Sequence, residues 1–583
     1  MSITRLHKFL TATTTKTSSS PTIFWFSLSL TFAAIYGLMG LQQAFSAEYV
    51  VQDDARQHTF WMQRFVDGDL FPGDLIANYF QTVAPTGYTF LYQLMAALGI
   101  NPLLLSKLLP PVLGLIVTGY SFGISMLLLP VPLAGFLSTL LLNHYLWMRD
   151  DLISGTPVAF VYPLFTAFLY YFLQRYLLGS CVAIALLGLF YPQCVFICAG
   201  ILILQLVQWK NGCLRFSPER RDYQFCAFCL GTALAVILLY ALKSHGYGPV
   251  ITAAEAKTWP EFWSKGKSKF FFDDPWHFWI TAQRSGILPR FGTIVPLVAS
   301  FLLPLLLFYP APFPLLKKLS KNIAILVQIT LASLAMFFIS HALLFKLHLP
   351  SRYTEHSLRV VTALGAGIAI TAIIDAVLNW ADDKQFKSNW RHLLALVTTC
   401  VLLVALGLYP NFIKGFPKTN YIVGEVPLIY KFFSQQPKDI LIASLAKEAN
   451  NLPIFSKRSI LVGSEGYPVP YHKGYYAKIR ARAVALIEAH YSADMEELRR
   501  FINKYKIDFW LVEKGAFTSA YLQRERWIMQ YQAAAKKAIS LLEEGTVPAL
   551  ARLMNQCSVL EVKDLIVLPS QCILAKSVEG KGG

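Results

Sequence analysis

Long apolar segments recur along this chain and constrain its fold more than any other feature. Of its 583 residues, 55% are hydrophobic and 15% are charged. Several segments approach the ~20 apolar residues that a helix needs to cross a bilayer. In lipid, a helix satisfies its backbone hydrogen bonds within its own segment. The sequence therefore predicts a mainly α, polytopic transmembrane protein.

We predict about eleven spans, with the N-terminus inside and a retained signal anchor over about residues 23–45. The sequence Tyr191-Pro192-Gln193 divides one long apolar run into two short spans, because proline removes a backbone donor. Many basic residues fall in short loops between spans, as the positive-inside rule expects. The net charge of +18 therefore does not indicate a nucleic-acid partner.

The composition changes from Asn411 onward. Short apolar runs alternate there with amphipathic helical patterns, which is typical of an α/β domain. We therefore divide the chain into a transmembrane module with catalytic outer loops, residues 1–410, and a small extracytoplasmic α/β domain, residues 411–583. Cys557 and Cys572 are the two cysteines of this domain. An oxidising compartment would favour joining them, but the sequence leaves the disulfide open.

The first loop carries the strongest candidate chemistry. Asp53 and Asp54 follow the first span by a few residues, and His58 comes one helical turn after Asp54. Phe60 and Trp61 belong to an amphipathic pattern behind them, which predicts a segment lying along the membrane surface with its aromatic rings among the headgroups. A carboxylate held there could take a proton from an acceptor while a lipid-borne donor approaches from the bilayer.

Two further outer loops carry charged side chains that could complete a site. The candidates are Arg149, Asp150 and Asp151 in one loop, and Arg352, Tyr353 and Arg359 in the other. A transfer from a phosphate-linked sugar needs a base for the acceptor and cations for the departing phosphate, and arginine suits phosphate because its planar fork binds two oxygens. The simpler alternatives are solvated loop carboxylates and arginines that bind lipid headgroups.

The order of these sequence features resembles that in the GT-C superfamily of membrane glycosyltransferases. A single span precedes an amphipathic loop that opens with an acidic pair. After it, an apolar helix begins at Pro85-Thr86-Gly87-Tyr88. A later span ends in a basic-acidic turn, and Tyr191-Pro192-Gln193 breaks another span. The resemblance covers about residues 20–410. This superfamily includes protein mannosyltransferases, oligosaccharyltransferases and aminoarabinose transferases of lipid A. The chain has no oligosaccharyltransferase-type WWD motif, which argues against asparagine-linked glycosylation.

The resemblance implies an inverting glycosyltransferase with a polyprenyl-phosphate-linked donor. By that likeness Asp53 or Asp54 is the catalytic base. His58, Arg149, Arg352, Tyr353 and Arg359 would bind substrate. Asp150 and Asp151 would hold a divalent cation, Mg or Mn, if the enzyme depends on metal.

We therefore expect a multi-pass protein, with a bacterial inner (plasma) membrane favoured, that glycosylates a lipid, glycan or protein acceptor at the outer membrane face. One alternative is a transporter or flippase for a lipid-linked saccharide, which would place charged residues near the membrane midplane. The other is a non-catalytic membrane assembly protein that acts through residues 411–583. The sugar, the acceptor and the oligomeric state stay open.

Overall fold

The computed structural model describes residues 3–14, 19–210, 213–242, 246–264, 266–288, 294–382 and 389–579. The fold is mainly helical, as predicted. The first seventeen helices are α1 (Ile3–Thr11), α2 (Ser20–Ala44), α3 (Asp53–Thr59), α4 (Leu75–Val83), α5 (Thr86–Ala97), α6 (Pro102–Leu128), α7 (Pro132–Trp147), α8 (Asp150–Ile153), α9 (Val161–Leu173), α10 (Leu177–Phe190), α11 (Val195–Gln205), α12 (Arg220–Ala241), α13 (Ala253–Thr258), α14 (Ile294–Phe308), α15 (Ala324–Ala342), α16 (Arg352–Ala381) and α17 (Asn389–Leu408).

Six helices in the described part of the chain are long and apolar enough to cross a membrane, namely α2, α6, α12, α15, α16 and α17. Shorter apolar helices include α9, α10, α11 and α14. The chain leaves α10 at Phe190 and enters α11 at Val195, so the proline break occurs where the sequence predicts it. The total of about eleven spans stays a prediction.

Helices α7 and α16 form the centre of the bundle. Every residue of α7 is buried, as are most residues of α16. The two helices approach closely at Gly367, where an added Cβ would lie 2.2 Å from the Ser138 hydroxyl oxygen. Small residues allow membrane helices to pack this closely. Close packing stabilises the pair because lipid tails are as apolar as the side chains, so the hydrophobic effect alone does not hold two membrane helices together. The close contact fixes α16, whose first two turns carry the candidate arginines.

The strands are β1 (Val50–Gln52), β2 (Val207–Lys210), β3 (Cys213–Phe216), β4 (Tyr421–Val423), β5 (Leu441–Ser444), β6 (Ser459–Ile460), β7 (Phe509–Glu513), β8 (Leu560–Val562) and β9 (Leu565–Pro569). The remaining helices are α18 (Pro427–Ser434), α19 (Leu452–Phe455), α20 (Lys473–Tyr491), α21 (Met495–Tyr505), α22 (Ser519–Arg524), α23 (Arg526–Met529), α24 (Gln532–Glu543), α25 (Ala549–Cys557) and α26 (Ser570–Glu579).

The residues after α17 fold around a five-stranded sheet of order β6-β5-β7-β9-β8. Strand β5 runs parallel to β6 and β7, whereas β9 is antiparallel to β7 and β8. Helices of the same segment pack with it, so an α/β arrangement forms as predicted. A disulfide joins Cys557 to Cys572 with their Cα atoms 5.7 Å apart, which resolves the pairing that the sequence leaves open.

A two-stranded clamp attaches the first loop to the chain that follows the last apolar helix. Strand β1 pairs antiparallel with β4, and the Asp53 amide donates a hydrogen bond to the Asn420 carbonyl at 3.2 Å. The loop behind β1 is not a surface helix, because Phe60 and Trp61 are 1% and 0% exposed. The amphipathic pattern marks a face packed inside the protein, and the prediction of rings among headgroups is wrong.

Candidate active site

A polar cavity of about 610 Å³ lies where the first loop, α8 and the start of α16 meet residues 464–471. Six of the nine candidate residues line it: Asp53, Asp54, Arg149, Asp150, Asp151 and Arg352. Residues separated by some 300 positions in sequence thus share one enclosure, with carboxylates and guanidinium groups facing the same space. This is the arrangement expected of a site that handles both a proton and an anion.

The acidic pair occupies the first turn of α3. The Gln52 side chain caps this helix by accepting a hydrogen bond from the Ala55 amide at 3.1 Å. Carboxylates are favourable in a first turn because the free amides there carry partial positive charge. The cap and the β1–β4 clamp together fix where Asp53 and Asp54 enter the cavity.

The two carboxylates have different surroundings. Asp53 Oδ1 accepts a hydrogen bond from Arg56 Nη2 at 2.6 Å, whereas Asp54 has no hydrogen-bond or ion-pair partner within the described part of the chain. Burial and the like charges of Asp150 and Asp53 raise the pKa of Asp54 to about 7, although Arg352 opposes the rise. Asp54 is therefore the carboxylate with the greater affinity for a proton near neutral pH.

A network of arginines faces the acidic pair across the cavity. Arg359 is fully buried and donates to Asp151 at 2.7 Å, to Glu355 at 2.6 Å and to the Tyr162 hydroxyl at 2.6 Å. Burial alone would raise the pKa of Asp151, but the adjacent Arg359 holds it well below the usual range. A fully buried arginine of this kind orients its neighbours rather than binding substrate directly.

The Glu355 carboxylate also lies close to the guanidinium groups of two further arginines. Arg352 Nη1 lies 2.9 Å from its carboxylate and Arg149 Nη2 lies 3.6 Å away. Three guanidinium groups, from Arg149, Arg352 and Arg359, thus surround two carboxylates, from Glu355 and Asp151. Because Asp53, Asp54 and Asp150 also line the cavity, an anion would be favoured there only in direct contact with a guanidinium group such as that of Arg352.

Three candidate substrate-binding residues do not line the cavity. The His58 ring packs edge-to-face against Phe80 at 5.6 Å between ring centroids, and burial lowers its pKa to about 4. Tyr353 donates its hydroxyl hydrogen to the Leu347 carbonyl at 2.9 Å and lines a neighbouring groove. Arg359 supports the cavity from behind, as described above.

Asp150 and Asp151 do not fit a divalent-cation site in this arrangement. Asp151 Oδ2 accepts a hydrogen bond from Arg359, and Asp150 Oδ2 accepts one from Asn420 at 2.7 Å. Mg²⁺ and Mn²⁺ need such carboxylate oxygens as ligands, so a guanidinium at Asp151 competes for the same atom. Across the described residues, no group of three His, Cys, Asp or Glu side chains is arranged to hold a metal ion.

An apolar groove of about 540 Å³ adjoins the polar cavity. The two spaces share the side chains of His348 and Tyr471. Apolar and aromatic side chains dominate the groove, among them Val83, Phe196 and Ile237. A molecule with an oily chain and a polar head could therefore occupy both spaces at once.

Sequence reasoning did not identify several side chains of the cavity. Arg284, His348 and Glu465 line it, and burial together with Arg352 and Arg284 lowers the pKa of His348 to about 3. The positive charge of Arg284 in a loop between apolar segments is a signal that could have identified it. Glu465 carries no such signal, because it enters the site only through the docking of the residues after α17.

That docking uses specific contacts. The Arg56 side chain donates to Asn451 at 2.8 Å, and the Tyr79 ring stacks on Tyr475 with centroids 3.7 Å apart. At Gly466, where φ is +65°, an added Cβ would collide with the Gln57 side chain. The segment after α17 is thus one wall of the cavity.

No family model matches the chain, and no curated protein sequence matches it. Among solved structures it is similar to the apo oligosaccharyltransferase of Archaeoglobus fulgidus, with 12% identity, a TM-score of 0.48, and coverage of 87% of this chain and 72% of that one. The same organism's oligosaccharyltransferase AglB, in complex with an inhibitory peptide and a dolichol-phosphate, gives 12% identity, a TM-score of 0.49, and coverage of 89% and 72%.

The mycobacterial arabinofuranosyltransferase AftD, as a mutant, gives 12% identity, a TM-score of 0.46, and coverage of 84% of this chain and 36% of that one. These similar structures are glycosyltransferases by name, and each is 12% identical to this chain with a TM-score below 0.5.

Proposed function

We propose that this chain is a membrane glycosyltransferase that moves a sugar from a polyprenyl-phosphate-linked donor to a hydroxyl group of a lipid, glycan or protein acceptor. The observation that carries the proposal is the junction of the two spaces. A polar cavity that holds both an unpaired carboxylate and the guanidinium groups of Arg352 and Arg284 shares two lining residues, His348 and Tyr471, with an apolar groove.

The donor would lie across this junction. Its polyprenyl chain would occupy the groove, where burial of apolar surface favours binding. Its phosphate would lie at the cavity's edge near Arg352 and Arg284, where planar guanidinium groups can each bind two oxygens. The sugar would then extend into the cavity toward Asp54.

Asp54 would act as the general base. Asp53 is engaged by Arg56, whereas Asp54 is unpaired and has a pKa near the operating pH, the condition under which a general base is most effective. Asp54 takes the proton of the acceptor hydroxyl as that oxygen bonds to the anomeric carbon. The bond from this carbon to the phosphate oxygen breaks, and polyprenyl phosphate leaves with the electron pair. A single displacement of this kind inverts the anomeric centre.

The orientation of the chain in the membrane is part of the same proposal. The basic loops predicted to be cytoplasmic lie at the opposite ends of the predicted spans from the loops of the cavity, which favours a site at the outer face of the membrane. We propose that this membrane is a bacterial inner membrane. Residues 1–410 would then be the transmembrane catalytic module, and residues 411–583 an extracytoplasmic domain that completes the cavity wall. A cysteine-accessibility map that places residue 54 in the cytoplasm would contradict this orientation.

Binding of a polyprenyl phosphate to the purified protein in nanodiscs tests the donor site. We expect saturable binding to the wild type and weaker binding of polyprenol, which lacks the phosphate. Arg352→Ala should weaken phosphate binding about 10- to 100-fold, the loss expected when a charge-assisted hydrogen bond is removed. Arg352→Lys, which keeps the charge, should recover part of the loss.

Two further variants distinguish donor binding from sugar transfer. Asp54→Asn should bind polyprenyl phosphate at least as well as the wild type, because a negative charge beside the phosphate is removed, but it should transfer no sugar. Arg500→Ala is the matched control, because Arg500 lies on α21 with 75% of its side chain exposed. Equal binding by all variants would refute the donor site and favour an assembly role, whereas binding with transport but without transfer would favour a flippase.

A further inference from the structure

A second polar cleft leads away from the proposed catalytic cavity. It has a volume of about 450 Å³ and lies between the loop residues 266–269 and two segments of the C-terminal region, at 464–465 and 524–527. The cleft and the cavity share four lining residues: Lys267, Gln283, Ser464 and Glu465. The cleft and the cavity are therefore neighbours, and the Lys267–Glu465 ion pair borders both of them.

The cleft is strongly basic. Five cations line it, Lys267, Lys269, Lys447, Arg524 and Arg526, against the two carboxylates of Glu465 and Glu525. The net charge of its lining is therefore positive by three. A cleft lined mainly by charges of one sign raises the local concentration of ligands of the opposite sign.

The carboxylates are already neutralised by some of these cations. Lys267 lies 2.7 Å from Glu465, and Lys447 and Arg524 lie 3.4 Å and 3.5 Å from the buried Glu525. Within the part of the chain that the structure describes, Lys269 and Arg526 form no ion pair. Their charges remain available to a ligand.

We propose that this cleft binds the acceptor of the proposed glycosyltransferase, and that the acceptor is an anionic saccharide bearing carboxylate or phosphate groups. The inference rests on the proposed function, which it extends by naming the acceptor's chemical class. The anionic groups lie along Lys269 and Arg526, and a hydroxyl of the same saccharide reaches Asp54 past the side chains that border both spaces. The cleft and the lipid groove have no lining residue in common, so donor and acceptor bind without overlap.

The basic lining also resolves an electrostatic difficulty. The carboxylates at the base of the cavity would repel an anionic acceptor, so its charged groups must be held away from them. Cations in a cleft beside the cavity hold these groups while the neutral hydroxyl enters. A neutral saccharide has no charge for this lining to attract, so the cleft should distinguish ligands by their negative charge.

Binding of fluorescently labelled hexagalacturonate, compared with labelled maltohexaose, tests the inference in phosphatidylcholine nanodiscs. We expect the wild type to bind the carboxylated saccharide saturably and the neutral one at least roughly tenfold more weakly. Lys269→Ala with Arg526→Ala should weaken hexagalacturonate binding by roughly tenfold or more. Lys269→Arg with Arg526→Lys should retain it, because both charges are kept.

The matched control is Lys536→Ala with Lys537→Ala, which removes the same charge from an exposed part of α24 outside the cleft. Equal loss in the two alanine pairs, or equal binding of the two saccharides, would overturn the proposal. Displacement of hexagalacturonate by added phosphatidylglycerol would assign the cleft to a lipid headgroup and would also overturn it. Polyprenyl-phosphate binding by the wild type without hexagalacturonate binding would refute the acceptor class alone, whereas loss of both would refute the proposed function.

Discussion

Asp54 should set the acidic limb of the pH–rate profile. Its pKa is raised to about 7, so below that pH the carboxylate holds a proton and cannot accept one from the acceptor. The ionised fraction, and with it kcat/KM, should fall about tenfold for each pH unit below the limb. A sugar phosphodiester donor stays ionised throughout this range, so the limb reports the enzyme.

The charges around Asp54 predict the direction in which variants move this limb. Asp150 and Asp53 raise its pKa, and Asp151 adds to the rise, whereas Arg352 lowers it. Asp150→Asn removes a like charge and should move the limb to lower pH by about one pH unit. Arg352→Ala removes an opposing charge and should move it to higher pH.

The assay is the profile of kcat/KM between about pH 5 and pH 9, which reports groups of the free enzyme. Glu543→Gln, an exposed change on α24, is the control and should leave the profile unchanged. A flat profile, or the same limb in the wild type and both charge variants, would refute the assignment of Asp54 as base. Asp54→Asn should show no acidic limb because it should show no transfer above background.

Two further perturbations test the supports of the cavity. Arg359→Leu leaves the buried carboxylates of Asp151 and Glu355 without their shared cation. It should lower the free energy of unfolding by about 3–5 kcal/mol, which is measured as a lower midpoint of thermal unfolding in detergent. The double variant Arg359→Leu with Asp151→Asn should recover part of the lost stability. Gly466→Ala adds a Cβ that would meet the Gln57 side chain. It should lower kcat/KM for transfer and, because φ is positive at this residue, should also lower the free energy of unfolding by about 1 kcal/mol or more.

Each of these perturbations has a matched comparison. Arg500→Ala should change the unfolding midpoint little, since exposed substitutions usually stay within about 0.5 kcal/mol, and an equal loss in Arg359→Leu and Arg500→Ala would contradict the buried network. Gly545 also has a positive φ, of +80°, but faces open space. Gly545→Ala should therefore share the backbone strain of Gly466→Ala and keep full activity; equal activity of the two variants would contradict the role of the Gln57 contact.

The helices could be predicted from sequence because their signal is local. An apolar run of bilayer length is sufficient to indicate a helix, and the expected second span at about residues 104–129 is found as α6, Pro102–Leu128. The proline break after Phe190 follows from the same local rule. The acidic pair was also identifiable, because Asp53 and Asp54 are adjacent and follow a span closely.

The parts that sequence reasoning missed depend on tertiary contacts. An amphipathic pattern specifies an apolar face but not what covers it, and Phe60 and Trp61 pack inside the protein rather than among headgroups. The sequence predicts Arg359 as a substrate-binding residue, but it lies seven residues beyond Arg352 on α16, about 10 Å farther along the helix axis, where it is buried against Asp151 and Glu355. Glu465 could not be found at all, because only docking brings it to the cavity.

The arrangement around the acidic pair explains how one carboxylate becomes a base while its neighbours do not. Arg56 holds Asp53, Asn420 holds Asp150, and Arg359 holds Asp151. Each of these partners fixes a negative charge in place. Burial raises the pKa of Asp54 most, and these fixed charges raise it further, while Asp54 itself has no partner among the described residues. A replacement that frees one of the held carboxylates would let it turn away from Asp54 and weaken this effect. The positioning contacts should therefore alter the pH profile even though none of them touches the reacting oxygen.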